Sequence, residues 1–167
     1  MPLARFAAAL LLVWSASSAG VAAEFRVFDA ARVDEVYRVV LDRNALLLET
    51  INAVIKDKAI EDGHVMVTAG SVSECTYHYV ASAAVKPVDV FKTVKGAFEI
   101  LNAGGIIANG QPHIHMTLSS PKGAFGGHLE NGCRILYLGE VTIVKYAGGP
   151  KLERRPNENG IALLQAK

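Results

Sequence analysis

One stretch of this chain carries a helical repeat, and the apolar runs on either side of it do not. Between Ala45 and Ile60 the apolar residues fall at Leu47, Leu48, Ile51, Val54 and Ile55, the spacing that gathers one face of an α-helix. Asp42 or Asn44 is placed to cap it, and Asp62-Gly63 to stop it. The other apolar runs are short and rich in β-branched residues: Glu35–Leu41, His64–Ala69, Cys75–Val80, Val88–Val94, Ala97–Leu101, His113–Leu118, Ala124–Leu129 and Arg134–Lys145. Gly70-Ser71 reads as a turn between two of them, and Gly104-Gly105 as a bulge or turn. A single helix among clustered strands excludes an alternating, doubly wound fold. The expectation is one α+β domain of about seven strands and one main helix.

The ends of the chain read differently. Met1 to Arg5 supplies a short positive start, Phe6 to Trp14 is uninterruptedly apolar, and Ser15 to Ala23 is rich in small residues, with Val21 and Ala23 placed for cleavage before Glu24. That is the three-part pattern of a secretory signal peptide over residues 1–23. Nine apolar residues are too few for a membrane span, which needs about 20, so no anchor is expected after cleavage. No cysteine follows the cleavage point, which argues against a lipoprotein. The expected location is periplasmic or secreted. The domain then runs over 24–146, followed by a polar, loosely ordered tail over 147–167.

Charge limits the partners. Lys and Arg number 17 against 16 Asp and Glu, and residues 1–23 hold one arginine and no acid, so the processed chain is neutral. Duplex DNA binders carry a basic stripe, and none is visible here. Nucleic acid is therefore the less favoured partner, kept as an alternative.

Histidine carries the sharpest chemistry. His113-Ile-His115 lies in a strand, where residues two apart share a face. Ser120-Pro-Lys-Gly123 follows, with Gly123 suited to a left-handed turn position. If that stretch is the hairpin loop, Ser119 pairs with Ala124 and His115 stands opposite His128. A loop one residue shorter would turn His128 to the other face. Three converging neutral imidazoles suit zinc or another divalent transition metal, with a position left for water or a small-molecule ligand. Gly126 and Gly127 leave room for a backbone or a ligand to approach. His64 and His78 read as ordinary strand residues. Glu99, a carboxylate in the apolar Ala97–Leu101 run, is a candidate general base or a structural acceptor. Cys75 and Cys133 sit in apolar strands and read as buried thiols, although an oxidising compartment would allow a disulfide. The chain has no nucleophile elbow, phosphate loop or dinucleotide fingerprint.

The ordered set Gly70-Ser71, Gly96-Ala-Phe-Glu-Ile-Leu101, Pro112-His-Ile-His115, Gly126-Gly-His-Leu129, Gly132-Cys133 and Glu140-Val141 resembles the PPC domain, the plants-and-prokaryotes conserved domain that accompanies AT-hooks in plants. The resemblance spans roughly 36–144. It implies a compact α+β domain with a mixed, mainly antiparallel sheet, assembled as a homotrimer. It also implies the metal-binding histidine cluster of some prokaryotic members, mapping onto His113, His115 and His128. The family label of DNA binding comes from the plant proteins, whose AT-hook grips the minor groove. This chain has no Arg-Gly-Arg-Pro core, and Arg154-Arg155-Pro156 lacks the glycine that lets a hook lie flat. Three functions follow as expectations: an exported metal protein that binds a small ligand or catalyses weakly, a DNA-associated assembly module, or a trimeric scaffold without chemistry.

Overall fold

The computed structural model describes residues 25–167; the signal-peptide reading lies outside them. Strand β1 (Arg32–Asp42) leads into helix α1 (Leu47–Asp57), and six strands follow to complete the domain or extend it: β2 (Asp62–Val80), β3 (Asp89–Ala108), β4 (Gln111–Ser120), β5 (Gly123–Leu129), β6 (Arg134–Ala147) and β7 (Leu152–Pro156). An eighth, β8 (Ala162–Ala166), pairs with β7 alone. The other six form one sheet in the order β1-β6-β2-β3-β4-β5, and every pairing is antiparallel.

The α+β architecture follows the sequence pattern, with instructive differences. Leu47, Ile51 and Ile55 of α1 are buried as the periodicity requires, while Leu48 and Val54 pack at the edge of the core. Burying each of the three is worth roughly 1.5–3 kcal/mol. Neither Asp42 nor Asn44 caps the helix. Leu46 holds that position without a side-chain hydrogen bond, because the chain enters through Asn44 at φ 72° and Leu47 N–H is taken by Cys133 O (2.8 Å). The helix ends at Lys58–Ala59, where Ala59 adopts φ 48° and Ile60 N–H bonds Ile55 O. Asp62-Gly63 instead opens β2.

Two expected breaks are not breaks. Gly70-Ser71 lies inside β2, at an irregularity in its pairing with β6, and Gly104-Gly105 lies inside β3. A Cβ on Gly105 would fall on the carbonyl oxygen of His113, so this glycine serves close strand approach rather than a turn. The strands on either side of each glycine pair are therefore continuous, giving elements of 19 and 20 residues.

Length lets β2 be used twice. β3 pairs along the whole of it, while its other edge meets β6 as far as Glu74 and then β5 through Tyr77↔Leu129 and His78↔His128. Strands β2-β3-β4-β5 thus close on themselves. Gly127 makes the closure possible, since a Cβ there would collide with His78 O, and Gly126 does the same against Met116 O. Ile114, Met116, Leu118, Tyr77 and Leu129 point into the core, and alternation sends His113, His115, His78 and His128 outward.

Cys75 and Cys133 are bonded as a disulfide, contrary to the thiol reading. Cys133 is not in a strand. The turn at Asn131-Gly132, with Gly132 at φ 97°, folds the chain back so that Glu130 N–H bonds Thr76 O and Cys133 meets β2. The C-terminal segment also departs from a loose tail: β7 and β8 form a hairpin from Leu152↔Ala166 to Pro156↔Ala162, closed at Asn157, whose Oδ1 accepts from Asn159 and Ile161 N–H. No helix among the described residues is long and apolar enough to cross a membrane.

Candidate metal centre

The hairpin register decides the site. Ser119 pairs with Ala124 and His115 with His128, as the four-residue stretch requires; pairing even extends to Ser120↔Gly123, with Gly123 at φ 124°. A lateral row therefore runs Met66–Gly104–His115–His128–His78 across β2, β3, β4, β5 and back to β2. His113, two residues before His115, shares that outer face.

Four imidazoles gather there. Nε2 of His113 lies 3.1 Å from Nε2 of His115, and their rings stack with centroids 5.1 Å apart. The His128 ring stands edge-on to both, 4.7 Å from His113 and 5.6 Å from His115. His78, read from sequence as an ordinary strand residue, stacks on His128 at 4.5 Å. The closure of β5 onto β2 brings it in, and no local pattern announces a pairing that distant.

Glu130 is the carboxylate beside these rings. Its Oε1 accepts from Nδ1–H of His78 at 2.6 Å. It lies 3.3 Å from Nδ1 of His128, off the line that a hydrogen bond needs, and that buried nitrogen has no partner. Among the described residues, the group whose ligand atoms all lie close enough to share one ion is His78, His128 and Glu130, which takes in His128 of the expected set but not His113 or His115. Glu99 is not brought here. It is exposed on β3, paired with Ser71 and Ser119, five residues from Gly104, or about 16 Å at strand rise. His64 stays apart as well, with its Nδ1 2.6 Å from the Tyr146 hydroxyl.

The electrostatics favour neutral imidazoles. Burial first, then the nearby Arg154 guanidinium, then the charges of His128, His115 and His78 push His113 down to about 4. Burial and His78 also lower His128, with Glu130 opposing. Neutral rings are what a metal ion requires. Arg154, on β7, is half-buried, and desolvation lowers its pKa from the ordinary arginine value. Beside His115 the surface opens into a depression of about 460 Å³ lined by Asn102, Gly104, Thr117, Phe125 and Gly126.

The profile of the Plants and Prokaryotes Conserved domain matches residues 28–147. The chain belongs to this family. Its PPC domain superposes on a metal-containing protein of Archaeoglobus fulgidus with a TM-score of 0.71 at 26% identity, covering 84% of this chain and 99% of that one. A PPC protein of Pyrococcus horikoshii gives 0.71 at 24% identity, covering 85% and 99%. A protein of Bacteroides thetaiotaomicron, provisionally described as DNA-binding, gives 0.70 at 22% identity, covering 83% and 99%. The last two carry the fold alone. No curated protein matches the sequence.

Proposed function

We propose that this PPC protein is an exported, homotrimeric metal protein in which His113, His115 and His128 hold one divalent transition ion, zinc first. The observation that carries the reading is the pair of Nε2 atoms 3.1 Å apart on β4, with His128 directly across on β5. Two nitrogens bound to one tetrahedral zinc sit about 3.3 Å apart, given bond lengths near 2.0–2.1 Å. The donor set also fits chemically, because burial favours the neutral form of His113 and of His128.

Glu130 stands behind the centre, 3.3 Å from Nδ1 of His128 and bonded to His78, whose ring stacks on His128, the place a carboxylate takes behind a metal-bound imidazole. Its bond to His78 is of hydrogen-bond length at 2.6 Å. That favours a supporting role for His78 and Glu130 over a direct His78–His128–Glu130 ligand set. When bound, a three-imidazole zinc supplies Lewis acidity, polarising a carbonyl or phosphoryl oxygen or drawing the pKa of water toward about 7. The chain's own part is to favour the neutral form of His113 and His128 by burial and to keep one side open through the depression beside His115.

The metal-containing relative from Archaeoglobus supports the reading, and the disulfide supports export, since such bonds persist in oxidising compartments. The DNA reading rests on the provisional description of the Bacteroides relative. Against it stand a formal charge of +1 and the missing hook. The test is metal content by mass spectrometry after loading with zinc. Wild type should hold about one ion per chain, His115→Ala none, and His78→Ala should retain it. Equal zinc in wild type and His115→Ala overturns the site. Loss in His78→Ala with retention in His115→Ala transfers it to the His78–His128–Glu130 group.

A further inference from the structure

We infer that Asn102 and Thr117 form a binding subsite beside the histidine cluster, for a small uncharged polyol. The inference rests on the metal reading above and names the class of ligand that the open side of that centre takes. A bulge and a cavity carry it. Ile100 pairs with Leu118, yet Asn102 pairs with Thr117, so β3 holds one residue more than β4 over this step. From the inward Ile100, strict alternation would send Leu101 outward and Asn102 back into the core. The extra residue leaves both exposed and returns the chain to the core at Ala103, which is buried. Bulges re-aim side chains beside functional sites, and this one sets a carboxamide next to the Thr117 hydroxyl. Thr117 faces outward because Met116 and Leu118, on either side of it, are buried.

Both residues line the depression of about 460 Å³ that opens beside His115. Thr117 follows His115 by two residues on β4, about 7 Å at strand rise. Gly104, Gly126 and Ala124 add nothing larger than a methyl group to the lining, so a ligand can lie flat across the strands. Apart from His115, no ionisable side chain lines the depression. A charged ligand would leave water there with no opposite charge from the chain to replace it. The Asn102 carboxamide and the Thr117 hydroxyl each donate and accept hydrogen bonds. Neither is taken up by a side-chain hydrogen bond among the described residues. The ligand group that answers both is a hydroxyl, itself a donor and an acceptor. A short run of hydroxyls then reaches from this pair to the His115 end of the depression and the open side of the proposed ion.

The experiment is saturation-transfer NMR on the full chain, zinc-loaded and metal-free, with erythritol as the uncharged polyol and lactate as an anion of similar size. Zinc-loaded wild type should give a saturable erythritol signal and bind lactate more weakly. Asn102→Leu and Thr117→Val keep the size of the side chain and should hold as much zinc as wild type. Each should bind erythritol about three- to tenfold more weakly, the loss of one hydrogen bond. Equal erythritol binding by wild type and both variants overturns the subsite, and so does its absence from zinc-loaded wild type; the metal reading stands in both cases. Tighter binding of lactate than of erythritol overturns the uncharged assignment. If wild type takes up no zinc, the metal reading falls; the subsite then stands on erythritol binding to the metal-free chain that both variants weaken, and falls without it.

Discussion

In the proposed centre Glu130 stands 3.3 Å behind Nδ1 of the ligand His128, and its effect should be graded rather than absolute. A carboxylate behind a ligand imidazole fixes the ring and raises its basicity, and removing such a partner costs about 10–100-fold in metal affinity. Glu130→Gln should therefore weaken zinc binding by that factor in competition with a chelator while the ion count at saturation stays the same. The residue was within reach of the sequence: His128 and Glu130 are two apart, the same alternation that singled out His113 and His115. Spacing among the histidines alone does not single it out. His78 was not within reach, because its place depends on β5 folding back onto β2. Acidity belongs to this scale too. The folded pKa of His113, about 4, lies below its ordinary 6.5, so the unfolded chain takes up the proton first. The stability that neutral His113 contributes is full above about 6.5 and is lost as pH falls through that window toward 4. Unfolding of the metal-free protein by urea at pH 7, 5.5 and 4.5 should show the decline, and His113→Gln should flatten the part of it that belongs to this ring.

Among the elements, glycine separates what was legible from what was not. Local rules read Gly70-Ser71 and Gly104-Gly105 as punctuation. In the fold the second pair is a contact surface, where Gly105 lets β3 lie against the His113 carbonyl. A glycine needed for another strand's backbone looks, in sequence, like a glycine needed for a turn. The hairpin between β4 and β5 was legible because Pro121 and Gly123 constrain the turn itself, and its register carried His128 to the right face. The disulfide was hidden for the opposite reason: Cys133 reads as strand beside Arg134–Lys145, yet the turn at Gly132 sets it against β2. It closes a loop with 58 residues of separation, and loop-closure entropy puts its stabilisation near 4 kcal/mol, an upper figure for such a bond. Cys75→Ala with Cys133→Ser should lower urea-unfolding stability by about 2–4 kcal/mol. No change would mean that the bond is not formed in the native protein.

At the scale of the molecule, the outer face of the sheet is the feature that a lone chain leaves unresolved. Rows across the strands place Val36, Val40, Met66 and Ile106 on the same side as His113 and His115, exposed by 51, 71, 44 and 39%. The opposite face is closed by α1, so the apolar excess outside has no cover within the chain. The family resemblance implies a homotrimer, and the proposed assembly would cover this face. Light scattering should give three times the mass of the processed chain. Met66→Glu, which sets a charge in the middle of the patch, should release monomers at micromolar concentration. The same variant separates assembly from chemistry. His113, His115 and His128 belong to one chain and are positioned by its own hairpin, so zinc per chain should survive dissociation. A wild type that is monomeric at micromolar concentration refutes the trimer, and loss of zinc in a folded Met66→Glu monomer shows that the rings need a neighbouring copy to hold them.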